Sequence, residues 1–249
     1  MAQWTWAAAS RRGTAHAAAG DRRQDAHRVL AVGRWLIAVA CDGAGTASRG
    51  GAGAAVVART LSACAATWVE GGAGLPCDAT VVGWLMLARL RIEQAAGKRG
   101  LLPRDFATTM VMTMGDGSAM LTAHVGDGAA LARCAETGAW LSLSWPEAGE
   151  YAAETFFATD ESVRLRISRH DGEVDRLALM TDGLERLALD FALGVPHAPF
   201  LDAVTAPVAD ALAQGRDHRL SRQLGAYLGS PPVNARTDDD KTAILAVRV

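Results

Sequence analysis

Asp42 closes the apolar run Leu36-Ile37-Ala38-Val39-Ala40-Cys41 and opens the turn Asp42-Gly43-Ala44-Gly45. A carboxylate and a glycine carbonyl at the tip of such a run are hard oxygen ligands, suited to Mg²⁺ or Mn²⁺. Glycine at position 43 can take backbone angles closed to other residues, which would turn its carbonyl toward the same point. Asp-Gly is also the commonest hairpin dipeptide, so a plain turn competes with the metal reading. Four more Asp-Gly pairs occur, at Asp116, Asp127, Asp171 and Asp182. Asp116 and Asp171 link two strand-like runs, where a turn is a sufficient explanation. Asp42 and Asp182 end apolar runs and lead into helical patterns. Asp127 sits between strands, so both readings stand for it. Asp25 and Asp239 each lie just before a strand-like run.

In an antiparallel sheet, strand starts and neighbouring strand ends share an edge. Asp25, Asp42, Asp182 and Asp239 therefore converge at one rim, with Asp127 near it, if the strands pair as their order suggests. That many carboxylates in one place repel and take up protons unless cations are present. A two-metal oxygen site resolves the conflict. Aspartates scattered over the surface are the alternative, and Asp25 reads equally well as a capping or turn residue.

The elements that would position these groups are legible from periodicity. Residues 3–10 read as a first strand and 11–23 as a loop. Residues 29–32 turn at Gly33-Arg34 into the strand 36–41, a hairpin that sets Asp25 beside Asp42. Residues 48–69 carry Ala54, Val57, Leu61, Cys64 and Trp68 at helical spacing and end at Gly71-Gly72. A second helix runs from Asp78 or Thr80 through Ala96, with Val81, Leu85, Ala88 and Ile92 on one face and Arg89 and Glu93 on the other. Strands then follow at 108–114, 119–125, 129–133, 141–143, 155–158, 162–168, 176–180 and 242–249. Helices are expected after Asp182, at 199–213 and at 217–228.

The chain has 249 residues, half of them hydrophobic, which suits one domain spanning 1–249 with a sizeable core. A formal charge of -2 gives no general attraction to nucleic acid or an anionic membrane surface. The four cysteines form no Cys-x-x-Cys pair, and Cys41 and Cys64 lie on apolar faces as small hydrophobes. The start of the chain does not read as a signal peptide, and no apolar run approaches a membrane span. A cytoplasmic location with no nucleic acid and no membrane partner is the expectation.

The series Gln24-Asp25, Asp42-Gly43-Ala44-Gly45, Thr108-Thr109, Gly126-Asp127-Gly128, Thr181-Asp182-Gly183-Leu184 and Asp239-Asp240-Lys241-Thr242 resembles the metal-dependent serine/threonine protein phosphatases, the PPM or type-2C family. Each motif is weak alone; six in order over nearly the whole chain are specific. Gly13 to His16 and Gly149 to Thr155 resemble a bacterial sub-branch. The resemblance implies an α+β fold, a four-layer α-β-β-α sandwich of two central antiparallel sheets flanked by helices. It implies that Asp42 bridges two Mg or Mn ions, with the Gly43 carbonyl on one and Asp182 and Asp239 completing the other. Asp25 would act through metal-bound water, and Asp127 would help to hold a third, weaker ion. The implied reaction is hydrolysis of a phosphomonoester by a metal-bridging hydroxide. The substrate would be phosphoserine or phosphothreonine of a protein, opposing a serine/threonine kinase. A non-catalytic phosphoprotein-binding relative and a small-molecule phosphatase are the alternatives.

Two departures from the family pattern matter. The arginine that many members carry about five residues before the position of Asp25 is Gly20 here. His16, Arg22 or Arg23 would have to meet the substrate phosphate instead, although a lone histidine is more often structural. The segment between Leu143 and Asp182 is also shorter than the flap of many relatives.

Overall fold

The computed structural model describes residues 3–147, 155–211 and 214–248. In chain order the elements are β1 (Trp4–Arg11), α1 (Thr14–Ala19), β2 (Ala26–Val32), β3 (Trp35–Cys41), α2 (Gly50–Glu70), α3 (Asp78–Gly97), β4 (Met110–Gly115), β5 (Ala119–Val125), β6 (Ala129–Cys134) and β7 (Trp140–Ser144). There follow β8 (Arg166–Asp171), β9 (Val174–Met180), α4 (Glu185–Ala188), β10 (Leu189–Asp190), β11 (Val195–Pro196), α5 (Ala198–Ala209), β12 (Gly215–Arg216), α6 (His218–Leu228), α7 (Pro231–Asn234) and β13 (Lys241–Arg248).

The strands form two main sheets. One has the order β12-β1-β13-β9-β6-β7 and the other β2-β3-β4-β5-β8. Every pairing in them is antiparallel except that of the two-residue edge β12 with β1. Among the described residues, three cores account for the layers. Trp4, Trp6 and Ala8 meet Leu36, Ala38 and Ala40 between the sheets. Ile37, Val39 and Cys41, on the other face of β3, pack under α2 and α3. Ala243, Leu245 and Val247, on the outer face of β13, pack under α5 and α6. Both faces of the central strands are thus covered, which is why they read as unbroken apolar runs rather than alternating ones. The expected four-layer sandwich is what the chain builds.

Several local expectations differ. The supposed loop 11–23 contains α1, a single short helix closed by Gly20 in the left-handed region; its alanine-rich sequence has no apolar stripe to reveal it. Residues 155–158 are not a strand, and Arg89 instead fixes that loop by donating to the carbonyls of Ala158 (2.6 Å) and Asp160 (2.7 Å). The strand expected at 162–168 starts later, at Arg166. Residues 212–213, at the end of the expected helix 199–213, and Gly149 to Glu154 of the sub-branch motif lie outside the described residues. The helix α2 is long and apolar enough, by length and composition, to cross a membrane, contrary to expectation. It is mixed in character, though: its buried face, from Ala54 through Leu61 to Val69, belongs to the core over β3.

Candidate metal centre

The register of the sheets places the aspartates. Ala26 pairs with Cys41, so Asp25 and Asp42 extend from adjacent strand ends. Met180 pairs with both Ala243 and Ala129, so Asp182 lies between the approach to β13, with Asp239, and the approach to β6, with Asp127. Thr181 and Thr242 of the second group reach Asp25 of the first across the sheets, so one rim of the sandwich gathers Asp25, Asp42, Asp127, Asp182 and Asp239. Asp116 and Asp171 fall at the opposite ends of β4 and β8. Asp116 Oδ1 accepts from the backbone N–H and hydroxyl of Ser118 and from Ala119 N–H, as a turn residue does.

Backbone contacts fix the strand tip. The Asp42 carbonyl accepts from Thr108 Oγ1 (2.7 Å) and Thr109 N–H (2.8 Å), and its N–H donates to Thr109 Oγ1 (3.3 Å). That is the physical use of the Thr108-Thr109 pair. Gly43 is not in the left-handed region, so the expected reason for glycine there is corrected. The reason is space: a Cβ at Gly43 would lie 2.2 Å from the Gly50 carbonyl carbon. The missing side chain lets the start of α2 close over the strand tip. The Gln24 amide, with its nitrogen toward them, donates to the carbonyls of Gly43 and Ala44 at 2.9 Å each.

Asp25 is buried at 3% exposure. Its Oδ2 accepts from Thr181 Oγ1 (2.9 Å) and Thr242 Oγ1 (2.6 Å), while Oδ1 has no partner. Burial lifts its pKa to about 6 against the pull of Asp42 first and then of Thr242 and Thr181. Asp42 is raised well above the carboxylate range, by burial first and then by the charge of Asp25. Asp182 is pushed to about 9 by burial, with Asp127 and Asp239 adding repulsion. Burial also raises Asp127, although Thr155 Oγ1 donates to its Oδ2 at 3.0 Å. The Oδ1 atoms of Asp127 and Asp182 are buried without a partner.

Buried carboxylate oxygens with no donor, on groups that hold each other's pKa up, fit hard divalent cations; an organic cofactor would not answer that charge. No three of these groups among the described residues converge as a finished cage. Water ligands must complete any coordination shell, which is normal for Mg²⁺.

A cleft of about 700 Å³ opens over the rim, lined by Asp127, Asp182, Asp239, Glu185, Arg186 and Arg236 among others. None of the three expected phosphate contacts lines it. His16 Nδ1 is 3.0 Å from Asp240 Oδ1 and 4.0 Å from Asp239 Oδ1, close enough to pair though not aligned as a straight hydrogen bond. The Asp240 contact raises the His16 pKa. Arg23 donates to the carbonyls of Asp25 (3.1 Å) and Ser10 (3.2 Å). With Arg22 and Arg49, it lines a separate recess of about 390 Å³ at the start of α2.

Sequence reading missed several residues of the site. Asp240, 1% exposed, accepts from the N–H groups of Gly13 and Gln24, tying the chain before α1 and before β2 to the start of β13. Lys241 is fully buried and donates to the Asp239 carbonyl at 2.9 Å; burial lowers its pKa. Glu185 accepts from Gly128 N–H at 2.6 Å, and burial pushes its pKa to about 7. Their signal was adjacency to the motifs: Glu185 is three residues after Asp182, and Asp240-Lys241-Thr242 follows Asp239 directly.

A family model described as Protein phosphatase 2C matches residues 12–228. Serine/threonine-protein phosphatase 3 of Escherichia coli (strain K12) is 35% identical over 253 residues, covering 98% of this chain and 98% of that protein. PppA of Pseudomonas aeruginosa has a similar structure, with a TM-score of 0.65 at 18% identity, over 99% of this chain and 98% of that one. The catalytic domain of the serine/threonine protein phosphatase PstP, in complex with two manganese ions, gives a TM-score of 0.63 at 16% identity, over 100% of both chains. At these identities the solved structures bear on the fold.

Proposed function

The chain belongs to the protein phosphatase 2C family and is a metal-dependent serine/threonine protein phosphatase; we propose here which residues and ions do its work. Asp42, the Gly43 carbonyl, Asp182 and Asp239 hold two divalent cations, Mg²⁺ or Mn²⁺, and Asp127 contributes to a weaker third. Two manganese ions in PstP support that count. Bound divalent cations supply positive charge against the phosphoryl oxygens and bring a water within reach of ionisation near neutral pH.

The chain's own groups do the rest. Thr181 and Thr242 hold Asp25 by Oδ2, which leaves Oδ1 free to accept a proton from the attacking water. Lys241, pinned to the Asp239 carbonyl, fixes the loop that carries Asp239 and offsets part of the local negative charge. No covalent intermediate and no cysteine are required; Cys41 is buried, and burial raises its pKa.

The observation that carries this reading is the set of buried, donorless oxygens on Asp25, Asp127 and Asp182 at one rim. A module that only bound phosphoproteins would gain nothing from them. The substrate is a phosphorylated protein, and the partner activity is a serine/threonine kinase that makes it. Release of phosphate from phosphoserine peptides with Mn²⁺, abolished by a chelator, is the test; turnover surviving excess chelator would remove the metal reading.

A further inference from the structure

The cleft is larger than one phosphate needs, and its outer wall differs from its floor. Trp145 and Phe191 stand edge to face there, ring centroids 5.7 Å apart at 73°. Phe191 is 53% exposed. Arg186 and Arg236 complete the wall and are the only basic side chains that line the cleft among the described residues. Both are exposed. The other charged groups of the wall are acids, and Glu147 among them is paired with Arg164 (3.6 Å) and Arg166 (3.0 Å). No ion pair joins Arg186 or Arg236 to a described carboxylate, although acids flank both. Such guanidinium groups are available to an anion that arrives from outside.

We propose that Arg186 and Arg236, with the Trp145–Phe191 shelf, form a subsite for the polypeptide around the phosphorylated residue. It selects segments that carry an anionic group, a carboxylate or a second phosphate, close to the scissile phosphate. Asp127, Asp182 and Asp239 line the same cleft on the side of the scissile phosphoryl group; the exposed arginines answer what flanks it. A small phosphoester leaves the shelf uncovered, whereas a peptide chain covers it, which favours polypeptide as the occupant. The inference rests on the cleft being the phosphatase site.

Four phosphopeptides test it with the Mn²⁺-loaded protein: neutral flanks, a flanking glutamate, a flanking second phosphoserine, and the glutamate peptide with an added leucine. The wild type should prefer the anionic peptides over the neutral one by about tenfold in kcat/KM, the scale of one charge-assisted contact. The leucine should add to that preference. In Arg186→Ala/Arg236→Ala the anionic preference should fall to near one through KM, and Arg186→Lys/Arg236→Lys should recover part of it. Glutamate and phosphoserine arms tell the two anion sources apart. No wild-type preference overturns the proposal, as does an equal loss on neutral and anionic peptides, which would put the arginines on the scissile phosphate. Peptide binding by fluorescence anisotropy reads the same preference without turnover. Wild-type protein that binds the anionic peptides selectively but hydrolyses none would sink the enzymatic reading and leave the subsite standing.

Discussion

Thr242 Oγ1 lies 2.6 Å from Asp25 Oδ2, and the two residues come from opposite sheets. Thr181, at the end of β9, donates to the same oxygen. The carboxylate is thus clamped across the seam of the sandwich, and the clamp opposes the upward push of burial on its pKa. Thr242→Val should release that restraint. The acid limb of the activity profile should move to higher pH, and kcat/KM at pH 7 should drop about tenfold, in line with loss of one hydrogen bond to a charged group. A pH profile identical to wild type would show that Asp25 does not titrate in the reaction.

Asp42→Asn and Asp182→Asn should each abolish turnover, while Asp116→Asn and Asp171→Asn keep it. All four are Asp-Gly positions, so the difference isolates the rim from the hairpins. The rim variants should also raise the melting temperature of metal-free protein near neutral pH, because each replaces a carboxyl that is ionised in the unfolded chain and must take up a proton to be buried in the repelling set. Asp116→Asn should lower it instead, since Asp116 accepts three hydrogen bonds and pairs with Arg34 at 3.0 Å. A metal-free Asp182→Asn less stable than wild type would contradict the repulsion.

The rim was readable because strand ends and turn chemistry are local. Asp42 and Asp182 follow apolar runs, and antiparallel order sets each beside its neighbours at the edge of its own sheet; the packing of the two sheets, which the order within a sheet does not report, brings those edges together. What closes the site was not readable. Gly43 looked like a residue chosen for its torsion angles, but the constraint is the carbonyl carbon of Gly50, seven residues on, which only the docked helix reveals. His16 sits in a loop-like stretch that proved helical, and its partner Asp240 is more than two hundred residues away. Arg186 and Arg236 carry no pattern that separates them from surface arginines. Long-range closure decides their place, and periodicity does not report it.

Glycine at 53 should prove as demanding as glycine at 43. A Cβ there would meet the Phe106 carbonyl oxygen at 1.9 Å. Gly53→Ala should therefore cost about 3 kcal/mol in urea unfolding, through displacement of α2. Gly83→Ala, in α3 with nothing within 4 Å, should stabilise by about 0.5–1 kcal/mol. Equal effects from the two would mean that α2 can shift without loss.

Stability should depend on pH and metal together. Asp182 has a folded pKa of about 9 against an ordinary 3.8. Between those values the folded protein holds a proton that the unfolded chain releases, so metal-free protein loses stability as pH rises. Buried His27 and His124, both lowered to about 4 from 6.5, act the other way: the unfolded chain binds protons first, and stability falls as pH drops below 6.5. Metal-free protein should thus melt at a lower temperature at pH 8.5 than at pH 6.5. Mn²⁺ should raise the melting temperature more at pH 8.5, where ligand carboxylates shed their protons more readily. Differential scanning fluorimetry at the two pH values checks both; a Mn²⁺ shift that shrinks at high pH would count against the carboxylate cluster as the binding site.

The last expectation concerns His16, which sequence reading offered beside Arg22 and Arg23 as a contact of the substrate phosphate and the structure places against Asp240. Asp240 retains the N–H donors of Gly13 and Gln24 when the imidazole is removed, so the loss should be moderate, about 1 kcal/mol. Its pH dependence has a definite sign. The folded pKa is raised above 6.5 by the Asp240 contact, so the pair's contribution is fully present below pH 6.5 and fades as pH climbs through the folded value. His16→Ala should therefore destabilise more at pH 6 than at pH 9, read by urea unfolding, with KM for a phosphopeptide nearly unchanged. A tenfold rise in KM with equal stability at both pH values would return His16 to the substrate, and α1 would have to swing toward the cleft to put it there.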